Sequence, residues 1–332
     1  IRAAIVDTGD YFNGDGRGSG FPGVRGAATV AEFSRQRAKI ISAILGLDAD
    51  IVALLSLEND GYGPHSALQD LVDGLNEGAP DGTPYAFVEL ATSELGAGDM
   101  AVGLIYQPES IMPVGSAVTT SSPPFVSAIL PPLIQAFADP SSSETFVLAV
   151  VHLPTRDQCP APGDPNADQN DGQDCWNELR ALGTATLIDY LQTDPTGTED
   201  ADILILGNLN AYTQEDPLDL FATAGFTNLI SRYLSSGYSS ITDGEAGNLI
   251  HALASRNMAF QVDRVAQWHI NADEPEAFDY KLINPPSLYK ADAYRYAAHD
   301  PLFVVYDEDF HFCLTYPPAG LEMPPTIDQF RY

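Results

Sequence analysis

Apolar positions along the chain alternate between two spacings. Ile1 to Val6 is a continuous apolar, β-branched run, the pattern of a strand buried on both faces. A glycine-rich stretch follows, from Asn13-Gly14-Asp15-Gly16 to Gly26. Thr29-Val30-Ala31-Glu32 then has capping-box spacing, and Phe33, Ala38, Ile40, Ile41, Ile44 and Leu45 recur at helical period up to Gly46. The same reading predicts strands over 51–57, 85–90, 101–106, 132–138, 146–151, 203–206, 238–241, 251–255 and 301–306. Helices are predicted over 67–75, 178–191 and 216–224. Strand and helix alternate early, strands dominate the middle, and both return, so the expected class is α/β with two sheets faced by helices. No repeat is visible. The pattern changes after Asp307, where Pro317, Pro318, Pro324 and Pro325 sit among Phe310, Phe312, Tyr316, Phe330 and Tyr332. Residues 1–307 are read as one domain and 308–332 as an extended Pro-rich aromatic arm that docks on its own domain or on a neighbour.

Charge narrows the picture. In 332 residues, 46 acidic side chains face 15 basic ones, a formal net charge of −31. Lys39, Lys281 and Lys290 are the only lysines. Such a surface repels polyanions, so tight nucleic-acid binding is not expected, and basic or cation-bridged partners are favoured. No apolar run reaches the roughly 18 residues of a membrane span. The sequence opens on Ile1, read as a processed start. Cys159 and Cys175 flank a polar loop, and a bridge between them is expected, whereas Cys313 has no evident mate. Acidity, scarce lysine and the stapled loop together predict an extracellular, secreted protein.

Collinear segments carry a resemblance. They run from Tyr11-Phe12-Asn13-Gly14-Asp15-Gly16 through Leu57-Glu58-Asn59-Asp60-Gly61-Tyr62-Gly63, Val151-His152 and Gly207-Asn208-Leu209-Asn210. They continue with His251-Ala252-Leu253-Ala254-Ser255, Trp268-His269-Ile270-Asn271-Ala272-Asp273 and His299-Asp300-Pro301. In this order they resemble secreted members of the endonuclease/exonuclease/phosphatase superfamily, the group related to DNase I. The resemblance implies a four-layer αββα sandwich, two mixed sheets flanked by helices, with the active site at one edge. It also implies metal-assisted phosphodiester hydrolysis: carboxylates hold Mg2+ or a similar ion, a His activates water under the control of an Asp, and a second His and an Asn face the phosphate.

At the matching positions the sequence departs from that pattern. Asp7 stands where active relatives have Asn, Ser56 replaces the Glu ligand, and Asn208 replaces an Asp. Ile250 replaces the Asp that orients the base, and Ala298 removes another carboxylate. His152, Asn210 and His299 remain. Hard cations need charged oxygen ligands, and loss of one orienting Asp costs on the order of 10^4 in rate in the analogous serine-hydrolase case. The expectation is therefore a degenerate site on a retained fold, with His152 and His299 as core-edge histidines held by local partners. The protein would serve as a non-catalytic binding or structural subunit of an extracellular assembly, through a protein partner or self-association of the arm. The rival is an active Mg-, Mn- or Ca-dependent phosphodiesterase on extracellular DNA or a small phosphate ester, with a rebuilt metal site. Glu58 is the residue that would rebuild it, because two positions from Ser56 along a strand is the same face.

Two further segments bear on cofactors. Asp164, Asn166, Asp168 and Asn170 place side-chain oxygens alternately inside the stapled loop, which suits calcium but lacks the glycine and terminal Glu of an EF-hand. A merely polar loop is the other reading. A calcium-dependent adhesion or matrix protein would follow from the first. The glycine stretch at 13–20 lacks the Lys and the spacing of a P-loop and reads as a surface loop. Arg156 is the nearest evident anion partner to His152, while His65, His269 and His311 show no ligand spacing.

Overall fold

The computed structural model describes residues 1–79, 83–125, 127–142, 144–242 and 244–306. Cys313 and the aromatic arm lie outside the described residues. One sheet is built from β1 (Arg2–Tyr11), β2 (Ile51–Glu58), β3 (Ala86–Phe87), β4 (Met100–Tyr106), β13 (Val262–Gln267) and β14 (Leu302–Tyr306), in the order β13-β14-β1-β2-β4-β3. The other holds β5 (Met112–Val118), β6 (Leu133–Ala138), β7 (Thr145–His152), β8 (Ile203–Asn208), β9 (Thr227–Asn228) and β12 (Ile250–Ala254), in the order β5-β6-β7-β8-β12-β9. The pairs β1–β2 and β7–β8 are parallel and their other neighbours antiparallel, so both sheets are mixed. A separate hairpin joins β10 (Ser240–Thr242) to β11 (Glu245–Gly247).

The continuous apolar runs follow from burial on both faces. On β1, Ala3 and Ile5 point between the sheets, while Ala4 and Val6 point outward to the helices. On β7 the inner set is Phe146, Leu148 and Val150, and the outer set is Val147, Ala149 and Val151. A period of two thus feeds two cores, and no position is left for a polar side chain. Over the first sheet lie α1 (Val30–Leu47) and α2 (Ala67–Gly78), which bury Phe33, Ile40, Ile44, Leu68, Leu71 and Leu75. Over the second lie α3 (Asn177–Leu191) and α4 (Asp216–Thr223), which bury Leu187, Ile188, Leu191, Leu218 and Phe221. The layers are α, β, β, α, as the resemblance implies.

Several expectations shift. The predicted strand over 85–90 shrinks to Ala86–Phe87, because Tyr85 is turned into a buried bond network, its hydroxyl donating to Ala49 O at 2.9 Å. Strands β5 and β13 were not predicted from the pattern. Both are sheet-edge strands with one open side, so Pro113 and Gly115 in β5 and Asp263 and Arg264 in β13 are tolerated and blur the alternation. The capping box is half present. Thr29 Oγ1 accepts Glu32 N–H at 3.2 Å, but the Glu32 carboxylate accepts from Ala28 N and, across the fold, from Leu282 N. Helix α1 runs past Gly46 to a left-handed cap at Asp48. No helix among the described residues is long and apolar enough to cross a membrane.

Candidate functional site

The two sheets present one common edge, and the expected residues lie along it. Asp7 sits in β1, paired in register with Leu55 of β2. His152 ends β7 opposite Asn208, which ends β8, and Ile250 begins β12 opposite the same Asn208. His299 precedes β14 and brings its Nε2 to 4.0 Å from Asp7 Oδ2. Ser56 occupies a bulge: its φ is +60°, and the register with β4 breaks between Leu54 and Leu57. Thr8 clamps that bulge by donating its hydroxyl to Leu55 O at 2.8 Å and Ser56 O at 2.9 Å. A strand residue in the left-handed region is strained. The bulge turns the backbone at the position the resemblance assigns to a ligand, and the side chain there is only a hydroxyl.

The asparagines are occupied locally. Asn208 Oδ1 accepts Asn210 N–H at 3.0 Å, and Asn210 Nδ2 donates to Leu153 O at 2.8 Å. Ile250 is fully buried in the core between the sheets. Ala297 and Ala298 line a cavity of about 300 Å³ together with Gly9, Asp10 and Tyr280. Asp7, His152 and His299 do come together. Burial holds His152 below the ordinary imidazole range, Asp7 pulls it back up, and His299 and Arg25 push it down again. The expected local partners are missing in part, since Nδ1 of His152 and Nδ1 of His299 are both sealed from solvent without a hydrogen-bond partner.

The neighbouring His251 is explained by packing alone. Its Nε2–H donates to Ala211 O at 2.9 Å and its Nδ1 faces Asn228 Nδ2 at 3.3 Å, so the neutral ring is satisfied at both nitrogens. Burial lowers its pKa to about 4. Arg156 is not open to an anion: its Nη1 binds both Glu215 oxygens, at 2.6 and 2.8 Å, and its Nη2 lies 2.7 Å from Asp174. Glu58 does not rebuild the centre either. The bulge at Ser56 breaks the two-residue period, and the Glu58 carboxylate faces the glycine stretch, accepting Asn13 N–H at 2.8 Å. Burial, with Asp60 and Asp99 adding to it, raises the Glu58 pKa to about 7.

These donors do not fit a hard divalent ion. A magnesium site needs at least one or two carboxylates in octahedral order. Of the positions the resemblance assigns to the ion, only Asp7 is a carboxylate; its Oδ1 accepts Gly9 N–H at 3.0 Å and its Oδ2 lies 4.0 Å from His299 Nε2. Among the described residues no three His, Cys, Asp or Glu side chains are grouped so as to hold an ion. The stapled loop matches that result. Asp164 and Asp168 each accept the backbone N–H two residues ahead, and Asn166 Oδ1 accepts Leu179 N–H at the start of α3. Cys159 and Cys175 are bonded as expected.

One group could not be found by motif spacing. Asp300 is wholly buried and accepts three backbone N–H groups, from Ile270, Asn271 and Ala272, at 2.8 to 3.0 Å. Its second oxygen meets His269 Nδ1 at 2.7 Å. Asn271 in turn donates to His299 O at 2.7 Å and accepts from Tyr296 N at 3.0 Å. This clamp holds the segment that carries His299. Its partners lie about thirty positions apart, and the only signal was that both motifs are rich in Asn and Asp.

Compared by sequence, no family model and no curated protein matches the chain. Compared by structure, it is similar to an endonuclease/exonuclease/phosphatase protein from Bacteroides vulgatus at TM-score 0.60 and 13% identity, covering 92% of this chain and 99% of that one. It is similar to a mannosyl-6-phosphatase of Bacteroides thetaiotaomicron at TM-score 0.55 and 14% identity, over 92% of this chain and 98% of that one. The human Nocturnin catalytic domain, solved with a bound sulfate anion, aligns at TM-score 0.55 and 14% identity, over 92% and 94%. The chain has the endonuclease/exonuclease/phosphatase fold, a DNase I-like sandwich of two mixed six-stranded sheets.

Proposed function

We propose that this chain is a non-catalytic protein on a hydrolase scaffold, secreted, and used as a binding or structural subunit of an extracellular assembly. The observation that carries the reading is the sheet edge itself. Ser56, Asn208, Ile250 and Ala298 stand where the resemblance requires charge or a base-orienting carboxylate, and Asp7 is left beside His299. One carboxylate among Ser56, Asn208 and Ala298 is too little charge to hold the ion that would polarise a phosphodiester and steady its leaving oxygen. His299 has no carboxylate at Ala298 or Ile250 to fix its tautomer or stabilise its cation. The formal charge of −31 and the aromatic sequence after Asp307 support contact with a basic partner or a second copy as the retained role.

The test is direct. Plasmid DNA and a chromogenic phosphodiester are incubated with the protein in Mg2+, Mn2+ and Ca2+. The expected result is no turnover above a His152→Ala, His299→Ala double variant. Metal-dependent turnover that this double variant loses would make the protein a phosphodiesterase and end the proposal.

A further inference from the structure

The stretch 281–294 has no helix or strand of its own, yet one face of α1 holds it in place. Glu32, Arg35 and Lys39 lie at i, i+3 and i+7 along that helix, one above another. Glu32 Oε1 accepts Leu282 N–H at 2.7 Å. The Arg35 guanidinium lies 4.6 Å from the centre of the Tyr289 ring. Lys39, 1% exposed, donates to Tyr294 O at 2.6 Å and to Asp292 Oδ1 at 3.2 Å. Asn284 fixes the turn that carries Ile283 by donating to Glu276 O at 3.0 Å and to Asp279 Oδ1 at 2.6 Å. What this pinned stretch turns to solvent is apolar. Leu282 is 42% exposed, Ile283 89%, Leu288 37% and Tyr294 43%. The other large apolar side chains exposed among the described residues are spread along the rest of the chain. Single exposed apolar residues are ordinary, whereas a group of them marks a contact surface. Leu288 and Tyr294 also wall a hollow of about 260 Å³, with Phe278 as the third apolar wall and Lys39, Glu274, Lys290 and Asp292 as the polar lining. One surface thus carries both a projecting side chain, Ile283, and a hollow able to receive one.

We infer that this surface is where a second copy of the chain binds, related by a two-fold axis, with Ile283 of each copy seated in the hollow of the other. A two-fold contact must be self-complementary, because the same patch serves both sides. Shape meets that condition through Ile283 and the hollow. Charge meets it too. Lys290 lines the hollow together with Glu274. A uniformly basic partner would set like charge against Lys290, and a uniformly acidic one against Glu274. A copy turned by a two-fold axis offers both signs. Each copy carries a formal −31, and their mutual repulsion is weakest where lysines lie. Lys281 and Lys290 are both exposed on this stretch, and Lys39 is the only other lysine in the chain. The inference rests on the reading of the chain as a subunit of an assembly and names its contact. Its test reads association and not hydrolysis, so either can fail without the other.

The full chain is followed by sedimentation velocity over a series of concentrations. The wild type is expected to show a monomer–dimer equilibrium with its midpoint between about 1 and 100 µM. Ile283→Asp is expected to raise that midpoint about a hundredfold, because a change at a two-fold contact counts twice, and to leave the melting temperature of the dilute protein unchanged. Val24→Asp, at a position 74% exposed elsewhere, is expected to leave the midpoint where it is. Lys290→Glu and Glu274→Lys should each weaken association about tenfold alone, and their equimolar mixture should regain the wild-type midpoint, since opposite charges then meet across the contact. A wild type that stays monomeric, a dimer that Ile283→Asp leaves intact, an equal loss in Val24→Asp, or a mixture that stays weak would each overturn the assignment. A dimer abolished by removing residues 308–332 but not by Ile283→Asp would give the contact to the arm and overturn it as well.

Discussion

At the sheet edge Asp7 and His299 lie side by side, His299 Nε2 at 4.0 Å from Asp7 Oδ2. The bulge at Ser56, clamped by Thr8, and the Asp300–Asn271 clamp behind His299 are both intact. That Asp7, His152, Asn208, Ile250 and His299 lie near one sheet edge was legible in the sequence, because each sits at the end of a strand or in a short motif beside one. The direction of Glu58 was not, because it depends on a left-handed residue two places earlier that no periodicity reveals. At this scale His251 gives a pH prediction. Its pKa is about 4 in the fold against 6.5 unfolded, so between those values the unfolded chain binds the extra proton. Its contribution is complete above pH 6.5 and is lost as the pH falls towards 4, on the order of 3 kcal/mol. Denaturant midpoints measured across that range should fall for the wild type and fall less steeply for His251→Gln. Parallel curves for the two proteins would remove His251 as the cause.

The elements were read best where both faces of a strand are buried and worst at the sheet edges. β1, β2, β7 and β8 were legible as apolar runs because each feeds two cores. β5 and β13 escaped because an edge strand carries prolines, glycines and charges on its open side. The stapled loop was read for its oxygens, which suggested an ion. In the fold those oxygens serve the loop's own backbone and the start of α3, whose first residue follows a left-handed Trp176 with no side-chain cap of its own. Asn166 does that work from a distance by accepting Leu179 N–H at 2.9 Å, and its own carbonyl takes Trp176 N–H at 2.8 Å. Asn166→Ala should therefore destabilise the protein by about 1 kcal/mol, as loss of a helix cap does. Asp168→Asn should stay within about 0.5 kcal/mol, as exposed substitutions do. Equal effects from both in chemical denaturation would show that the cap assignment is mistaken.

For the molecule as a whole, the fold was legible from the order of the motifs, although the solved structures of the same fold share only 13–14% identity with the chain. Layering depends on where apolar side chains point, and that survives when nearly all of them are exchanged. Charge acts at the same scale. A formal −31 on one chain disfavours the compact state by self-repulsion, which salt screens. Raising sodium chloride from low concentration to about 0.5 M should raise the melting temperature by several degrees, and a flat or falling curve would mean that charge is not limiting. The central claim is that the sheet edge no longer grips a divalent ion. It is tested most directly by counting bound Mn2+ by electron paramagnetic resonance in the wild type and in Asp7→Ala, which removes the one carboxylate left at the edge. Identical stoichiometry and affinity in the two proteins are predicted, whatever is bound elsewhere. Loss of one tightly bound Mn2+ in Asp7→Ala would contradict the account.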